Sequence, residues 1–509
     1  MRALISVYDK TGLVPFARGL ADLGFELVAS GGTAEALEEE GLVVTSVEDV
    51  TGFPEMLHGR VKTLHPRIHA AILARRDLAE DRGSLKKHGI EPFDLVCVNL
   101  YPFARVAGNP SAGEYEIVEM IDVGGPAMLR GAAKNHASVT VVCRLEDYDP
   151  VLMELREDGA TSIETRKRLA ATAFATSAAY EAAIAGWFLQ DEPFPETISL
   201  AFDKAHELSY GENPHQQAAY YAERGRRTHI LARVEQLGGK PLSFNNLNDL
   251  SAARLLAREF DDPVCVIVKH ANPCGVAEAA TIEEAYAGAH AADPVSAYGG
   301  VVVLNREVSA ALGDALAEQF VEVLFAPGYD DRALDTLARK TSVRILENTE
   351  RRALTVEPDY RRVLGGLLVQ ERDWEVAGRE EMTVVCGEVS DALWEDLLFA
   401  WRVVKHVTSN AIVITRGRQT IGIGAGQMSR VDAVRIALEK ARKLGHELEG
   451  AVLASDAFFP FTDGPQLALD AGVAVLVQPG GSKRDAEVIE AVSVADAAMV
   501  FTHRRHFRH

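Results

Sequence analysis

At 509 residues, with 47% hydrophobic and 25% charged positions, the chain is too long for one ordinary core and too apolar for disorder, so roughly two to four packed units are expected. Acidic residues outnumber basic ones by 74 to 53, and a formal net charge of −21 repels phosphate polymers and anionic lipid, which argues against nucleic acid and membrane as partners. No apolar stretch reaches the roughly 18 residues of a membrane span. The opening MRALISVYDK runs into a strand-like segment rather than a signal peptide, so a cytoplasmic location is expected. Cys97, Cys143, Cys265, Cys274 and Cys386 stand apart, with no CxxC pair and no cysteine–histidine spacing suited to zinc, so neither disulfides nor a metal are expected.

Apolar runs bounded by glycine alternate with helical patterns from the first residue: RALISVYD, GLVPFARGLADLG, FELVASGGT, AEALEEEG, LVVTSVEDV. That order predicts an α/β unit with a parallel sheet and crossover helices. FDLVCVNLYPF and SVTVVCRLEDY add two strands, and helices from about 165 to 189 close the unit. QDEPFPETISL, with Pro193 and Pro195, marks the boundary, giving units 1–192 and 193–509. The second unit is again α/β, with strands predicted at VCVIVKH, GGVVVLN, NAIVITRG, QTIGIGAG, AVLASDAFF and VAVLVQP. The tripeptide VKH at 268–270 and 404–406 is a faint hint of duplication.

Ser30, Gly31, Gly32 and Thr33 lie between a strand and a helix, where free amides and the helix dipole favour a phosphate; the same residues also make plain tight turns. Ser6 and Lys10 follow the first strand, at the carboxyl edge where α/β proteins hold ligands. In HGRVKTLHPRIH, Arg60, Lys62 and Thr63 fall in a loop bracketed by glycine and proline, and loops that concentrate charge are commonly functional. His58, His65 and His69 there also fit a solvated basic face. NLYPF puts Tyr101 at a strand end, and EMIDVGGPAMLRGAAKNH puts Asp122 before a glycine pair and Lys134 on the next helix; an aspartate so placed also serves as a cap.

SVYDKTGL, SGGT, TGFPEMLHGRVKTLHP, NLYPF, IDVGG and AAKNH together resemble the inosinate cyclohydrolase domain of the bifunctional purine-biosynthesis family that also carries a transformylase. The resemblance implies a methylglyoxal-synthase-like fold and closure of the purine ring, with loss of water, to give inosine monophosphate. It assigns Lys62 to the formyl oxygen, where negative charge grows, Asp122 and Lys134 to the amide proton, and Tyr101 to a hydrogen bond on the reacting oxygen. Arg60 and Thr63 would grip the ribonucleotide phosphate.

VCVIVKHANPCG reads as a buried strand stopped by asparagine, proline and glycine, with Lys269 and His270 at its end. Strand neighbours point to opposite faces, so both serve one site only if the strand breaks, and NPCG is expected to supply the break. LSYGENPHQ, LSFNNLND, VTSNAIVI, IGIGAGQMSR, SDAFFPFTDG, PGGSKRD and FTHRRHFRH resemble the transformylase half of the same family. That half is similar in fold to two cytidine-deaminase-like units, yet H-x-E and PCxxC are missing, which disfavours a deaminase.

The implied reaction moves a formyl group from 10-formyltetrahydrofolate to the amine of 5-aminoimidazole-4-carboxamide ribonucleotide (AICAR), with no catalytic metal. His270 is the candidate base, Lys269 the group at the oxyanion or the departing folate nitrogen, and Asn410 the group that orients the formyl. Lys405 and His406 follow a helical pattern and are expected at a helix end. The resemblance places Tyr210, Asn246, Tyr298, Glu322 and Arg505 around AICAR, and Arg430, Val431, Phe458 and Asp463 around the folate; core packing is the other reading of the DAFFPF phenylalanines. Two positions depart from the family pattern: Ser209 stands where an arginine is usual, and Tyr298 where phenylalanine is expected. The resemblance further implies a homodimer. A nucleotide-sensing regulator and a chain with one inactive half are the alternatives.

Overall fold

The computed structural model describes residues 1–224, 231, 234–349 and 358–509. The chain divides into two units, Met1–Asp203 with Ala222–Thr228, and Lys204–Tyr221 with His229–His509.

In the first unit, β1 (Arg2–Ser6), β2 (Glu26–Ala29), β3 (Val44–Ser46), β4 (Leu95–Val98) and β5 (Thr140–Val142) form a parallel sheet in the order β3-β2-β1-β4-β5. All four residues of β4 are buried, as a sheet covered on both faces requires. Phe16 stacks on Tyr148 at 4.3 Å between ring centroids, on the helix side of that core. The chain steps from β1 to β2 on one side and later to β4 on the other, so β1 marks the switch point, and its carboxyl edge is where a crevice opens. The long helix Ile163–Phe188 starts where the Ser162 hydroxyl accepts the Thr165 amide at 3.1 Å.

Strands β6 (Phe202–Leu208) and β7 (Ala218–Glu223) form a two-stranded ribbon. The second unit is built on one sheet of twelve strands: β8 (Glu235–Gly238), β9 (Val264–Lys269), β10 (Asn272–Glu278), β11 (Gly300–Leu304), β12 (Val321–Ala326) and β13 (Arg344–Glu347), then β16 (Thr383–Cys386), β17 (Ile412–Arg416), β18 (Gln419–Gly424), β19 (Val452–Ser455), β20 (Val475–Gln478) and β21 (Ala498–Phe501). The hairpin β14 (Pro358–Val363) and β15 (Gly366–Glu371) stands outside it.

The sheet is a duplication. From its centre outward one half runs β10-β9-β11-β12-β13-β8 and the other β18-β17-β19-β20-β21-β16. Each has an antiparallel hairpin, an antiparallel step, two parallel steps and an antiparallel edge. The halves join where β10 meets β18, and the Thr420 hydroxyl bonds both the amide and the carbonyl of Val276. Helices Phe244–Ala257 and Asp391–Val404 share one face of the sheet, while the opposite face carries a separate core in each half.

The two VKH strings do not mark this repeat. The first ends strand β9 and the second ends a helix, so the matching tripeptides occupy unrelated places. NPCG is not a strand break either: Asn272–Glu278 is strand β10, with a register shift between Pro273 and Gly275 that accommodates the proline without an N–H to donate.

Candidate active sites

In the first unit, loops at the carboxyl edge of the sheet converge. Gly31 caps helix Gly32–Glu39 with φ +52°, a region open to glycine, and a β-carbon there would collide with the Lys62 ammonium. Lys62 therefore reaches the helix N-terminus, where its charge adds to the free amides that favour an anion. The same ammonium lies 3.8 Å from Glu55. The Lys10 ammonium lies close by, 3.9 Å from where a Gly32 β-carbon would stand, and bonds the Tyr8 carbonyl at 3.4 Å. Thr33 is spent on the fold: its hydroxyl accepts from the Val7 amide at 3.1 Å and donates to the Val7 carbonyl at 3.0 Å. Ser30 is buried beside it, and Ser6 ends β1 half-buried.

Thr63 is buried against Gly124, which ties the basic loop to the IDVGG turn. There Asp122 accepts the Gly125 amide at 2.8 Å, and Tyr180 holds the turn by accepting the Asp122 amide and donating to the Met120 carbonyl. Burial pushes the Asp122 carboxyl above the ordinary range, against the pull of the Gly125 and Tyr101 amides. Burial, then the nearby Asp122 charge, raises the Tyr101 phenol as well; its exposed ring packs on Tyr8 at 5.4 Å.

Arg60 points elsewhere, onto Glu119, and is largely exposed. Lys134 is the last residue of helix Gly124–Lys134, whose first turn holds Asp122, so a rise of about 1.5 Å per residue puts it roughly 15 Å along the axis. Its side chain is exposed. Glu119 and Tyr180 are not legible as partners in the sequence, because their contacts join residues 59 and 58 positions apart.

In the second unit, β9 ends at Lys269 and the chain reverses through His270 and Ala271, at φ +54° and +59°. Two positive values define the tight turn that suits antiparallel strands, and asparagine–glycine is its usual sequence. The Asp249 carboxylate accepts both turn amides, from His270 at 3.2 Å and Ala271 at 2.7 Å. The strand break that frees His270 from the alternation is this turn. Lys269 donates to the carbonyls of Tyr298 and Gly299 at 2.8 and 2.9 Å.

Tyr298 is exposed and packs on Phe320 at 5.1 Å; Glu322, on the neighbouring strand, pairs with the buried Arg344 at 2.7 Å. Asn246 lies on the helix that carries Asp249, but its carboxamide oxygen accepts the Ser243 amide at 3.0 Å and closes a capping box, so that atom serves the helix. The carbonyl of Tyr210 accepts the Phe244 amide, and Ser209 donates its hydroxyl to the Leu242 carbonyl at 3.1 Å.

The other half contributes a second cluster. Arg430 donates to Asn410 at 2.7 Å, to Ser455 at 2.8 Å and to the fully buried Asp456, which also takes the Ser409 hydroxyl. Asn410 donates in turn to the Gln427 carbonyl at 2.8 Å. Arg430 is thus a buried brace for Asn410, with Val431 half-buried next to it. Phe459 is the core residue of DAFFPF, 1% exposed, whereas Phe458 is 38% exposed and Asp463 is exposed at the start of a helix.

The C-terminal segment runs beside this cluster, His506 donating its amide to the Asp456 carbonyl, and the exposed Arg505 lies over Phe507 at 4.5 Å. Asn272 links the clusters by accepting the Thr408 amide at 2.9 Å. Lys405 caps helix Asp391–Val404, and both the buried Lys405 and the half-buried His406 bond one carboxylate oxygen of Glu259, at 3.0 and 2.9 Å. Burial lowers the His406 pKa, against the pull of Glu259.

Among the described residues no group of three or more histidine, cysteine or acidic side chains is arranged to hold a metal ion, and no helix is long and apolar enough to cross a membrane. The cysteines are free, and burial pushes the Cys97 and Cys274 thiols up to about 12.

Residues 12–127 match the family described as MGS-like domain, and residues 132–440 match the family described as AICARFT/IMPCHase bienzyme. The chain is 49% identical over 516 residues to the bifunctional purine biosynthesis protein PurH of Persephonella marina, covering 100% of this chain and 99% of that protein. It is likewise 49% identical over 514 residues to PurH of Listeria welshimeri, covering all of both. With a parallel switch-point sheet in one unit, a duplicated sheet in the other and relatives aligned along the whole length, the chain belongs to the AICARFT/IMPCHase bienzyme family.

Proposed function

We propose that the second unit transfers the formyl group of 10-formyltetrahydrofolate to AICAR and the first closes the product to inosine monophosphate. The chain is a bifunctional formyltransferase and cyclohydrolase that takes a folate-derived formyl donor, as its family implies. In the transfer, the AICAR amine attacks the formyl carbon, His270 takes the amine proton, and Lys269 faces the oxyanion or protonates the departing folate nitrogen. Asn410, braced by Arg430, orients the formyl. A positioned base contributes about 10²–10⁴-fold. Tyr210, Asn246, Tyr298, Glu322 and Arg505 are proposed around AICAR, and Val431, Phe458 and Asp463 around the folate.

In the cyclisation the carboxamide nitrogen attacks the formyl carbon and water leaves. Lys62, with Tyr101, faces the oxygen on which charge grows, and Asp122 takes the amide proton. A raised carboxyl is a stronger base, which suits that step. Ser6, Lys10 and the Ser30–Thr33 turn are proposed to hold the phosphate, with Thr63 shaping the loop. Arg60 is proposed at the phosphate and Lys134 beside Asp122 at the amide proton. The proposal includes a cytoplasmic homodimer, units bounded near 192/193, cytidine-deaminase-like halves and no catalytic metal.

The observation that carries the reading is the His270–Ala271 turn, which exposes a histidine beside an anchored lysine. The test is a pair of assays on the full chain, inosinate formation from the formylated nucleotide and tetrahydrofolate release from the donor. Lys62→Ala is expected to remove the first alone and His270→Ala the second alone, each by at least about 100-fold. Loss of both activities in a folded single variant would overturn the two-site reading.

A further inference from the structure

We infer that Asp249 is a positioning residue for formyl transfer, holding His270 in its working place; this rests on reading His270 as the base. Left-handed backbone is disfavoured for residues with a β-carbon, and here two stand in a row. Each oxygen of the Asp249 carboxylate accepts one of the two turn amides. On the far side, the Asn272 carboxamide bonds the His270 carbonyl at 3.3 Å, so the peptide on each side of His270 is held.

The molecule contains its own control. In the other half, hairpin β17–β18 turns through Gly417 and Arg418, at φ +62° and +56°, and the Asp396 carboxylate accepts both amides, Gly417 at 2.7 Å. Asp249 and Asp396 are each the sixth residue of corresponding helices, Phe244–Ala257 and Asp391–Val404. Stability alone would explain the clamp in the second half, where glycine takes the first position without strain and no titratable ring follows. In the first half the same clamp holds a histidine.

Asparagine keeps the shape of aspartate but offers one acceptor, and its NH₂ would face a turn amide, so one of the two bonds must break. Asp249→Asn in the full chain is expected to lower the tetrahydrofolate-release kcat about 10- to 100-fold, with the KM for AICAR within about 3-fold and inosinate formation unchanged. Asp396→Asn is expected to lower the melting temperature comparably while leaving that kcat within about 2-fold.

If Asp249→Asn does not fold, Asp249→Glu, which keeps both acceptors on a longer arm, is expected to show an intermediate kcat loss with the same KM. A folded Asp249 variant of full kcat, or an equal kcat loss in Asp396→Asn, would overturn the inference. Undiminished transfer by His270→Ala would instead defeat the assignment of the base on which it stands.

Discussion

The turns His270–Ala271 and Gly417–Arg418 share a backbone shape, a clamping aspartate and a place in the duplicated sheet, but differ in what stands first on the turn. Glycine tolerates that backbone freely, whereas a β-carbon there costs roughly 1–2 kcal/mol. A residue that strains its own turn is informative when a copy of the same turn with glycine in that place exists in the molecule, because the fold demonstrably does not need the strain there. The axis of the duplication teaches the same lesson. Glu259 and His406 are both the second residue after corresponding helices, and they meet each other. An undiverged pair would set like against like; here an acid meets a base, with Lys405 as the cation beside them.

Breaking the axis is expected to have the largest effect on stability. Glu259→Gln leaves the buried Lys405 ammonium without a countercharge and is expected to cost about 3–5 kcal/mol in urea unfolding. His406→Gln keeps the Lys405–Glu259 pair and is expected to cost about 1 kcal/mol; equal losses would mean that the axis acts as one unit. The second half also has its own aromatic segment after β19. Phe459→Ala is expected to cost about 3 kcal/mol or more, and Phe458→Ala under about 0.5 kcal/mol while raising the KM for the folate. A Phe458→Ala protein with unchanged KM would separate that ring from the donor.

The smallest expected effect is on pH dependence. Because the folded pKa of His406 is lowered, the unfolded chain binds the extra proton, so its contribution to stability is intact above the unfolded-chain value of about 6.5 and is lost as pH falls below that, through the lowered folded value. Urea midpoints at several pH values should show a slope that His406→Gln flattens; an unchanged slope would assign it to other groups.

The first unit was readable because each of its strands is a short apolar run closed by glycine or a polar turn, and the crossover order admits few topologies. The second was partly hidden. Strand β10 carries proline, cysteine and glycine in its first residues, which mimic a break, and its true turn uses histidine and alanine, which no turn rule favours. Asp249 was invisible because its role arises from contact with a turn distant in sequence. The structural role of Asn246 is readable: a serine three residues before it, ahead of an apolar run, already spells a capping box. The helix that carries Lys134 is legible in its sequence pattern, whereas the exposure of its last residue is not.

The hairpins also sit on a shared gauge of depth. Gly275 in β10 and Gly422 in β18 lie so close under their helices that a β-carbon would strike the carbonyl oxygens of Ala289 and Ala437 respectively. A single methyl at Gly275 would lever its helix off the sheet and tilt the adjoining hairpin. Chemistry at the tip can therefore be silenced by a wedge at the base, in a place where neither substrate nor proton ever goes.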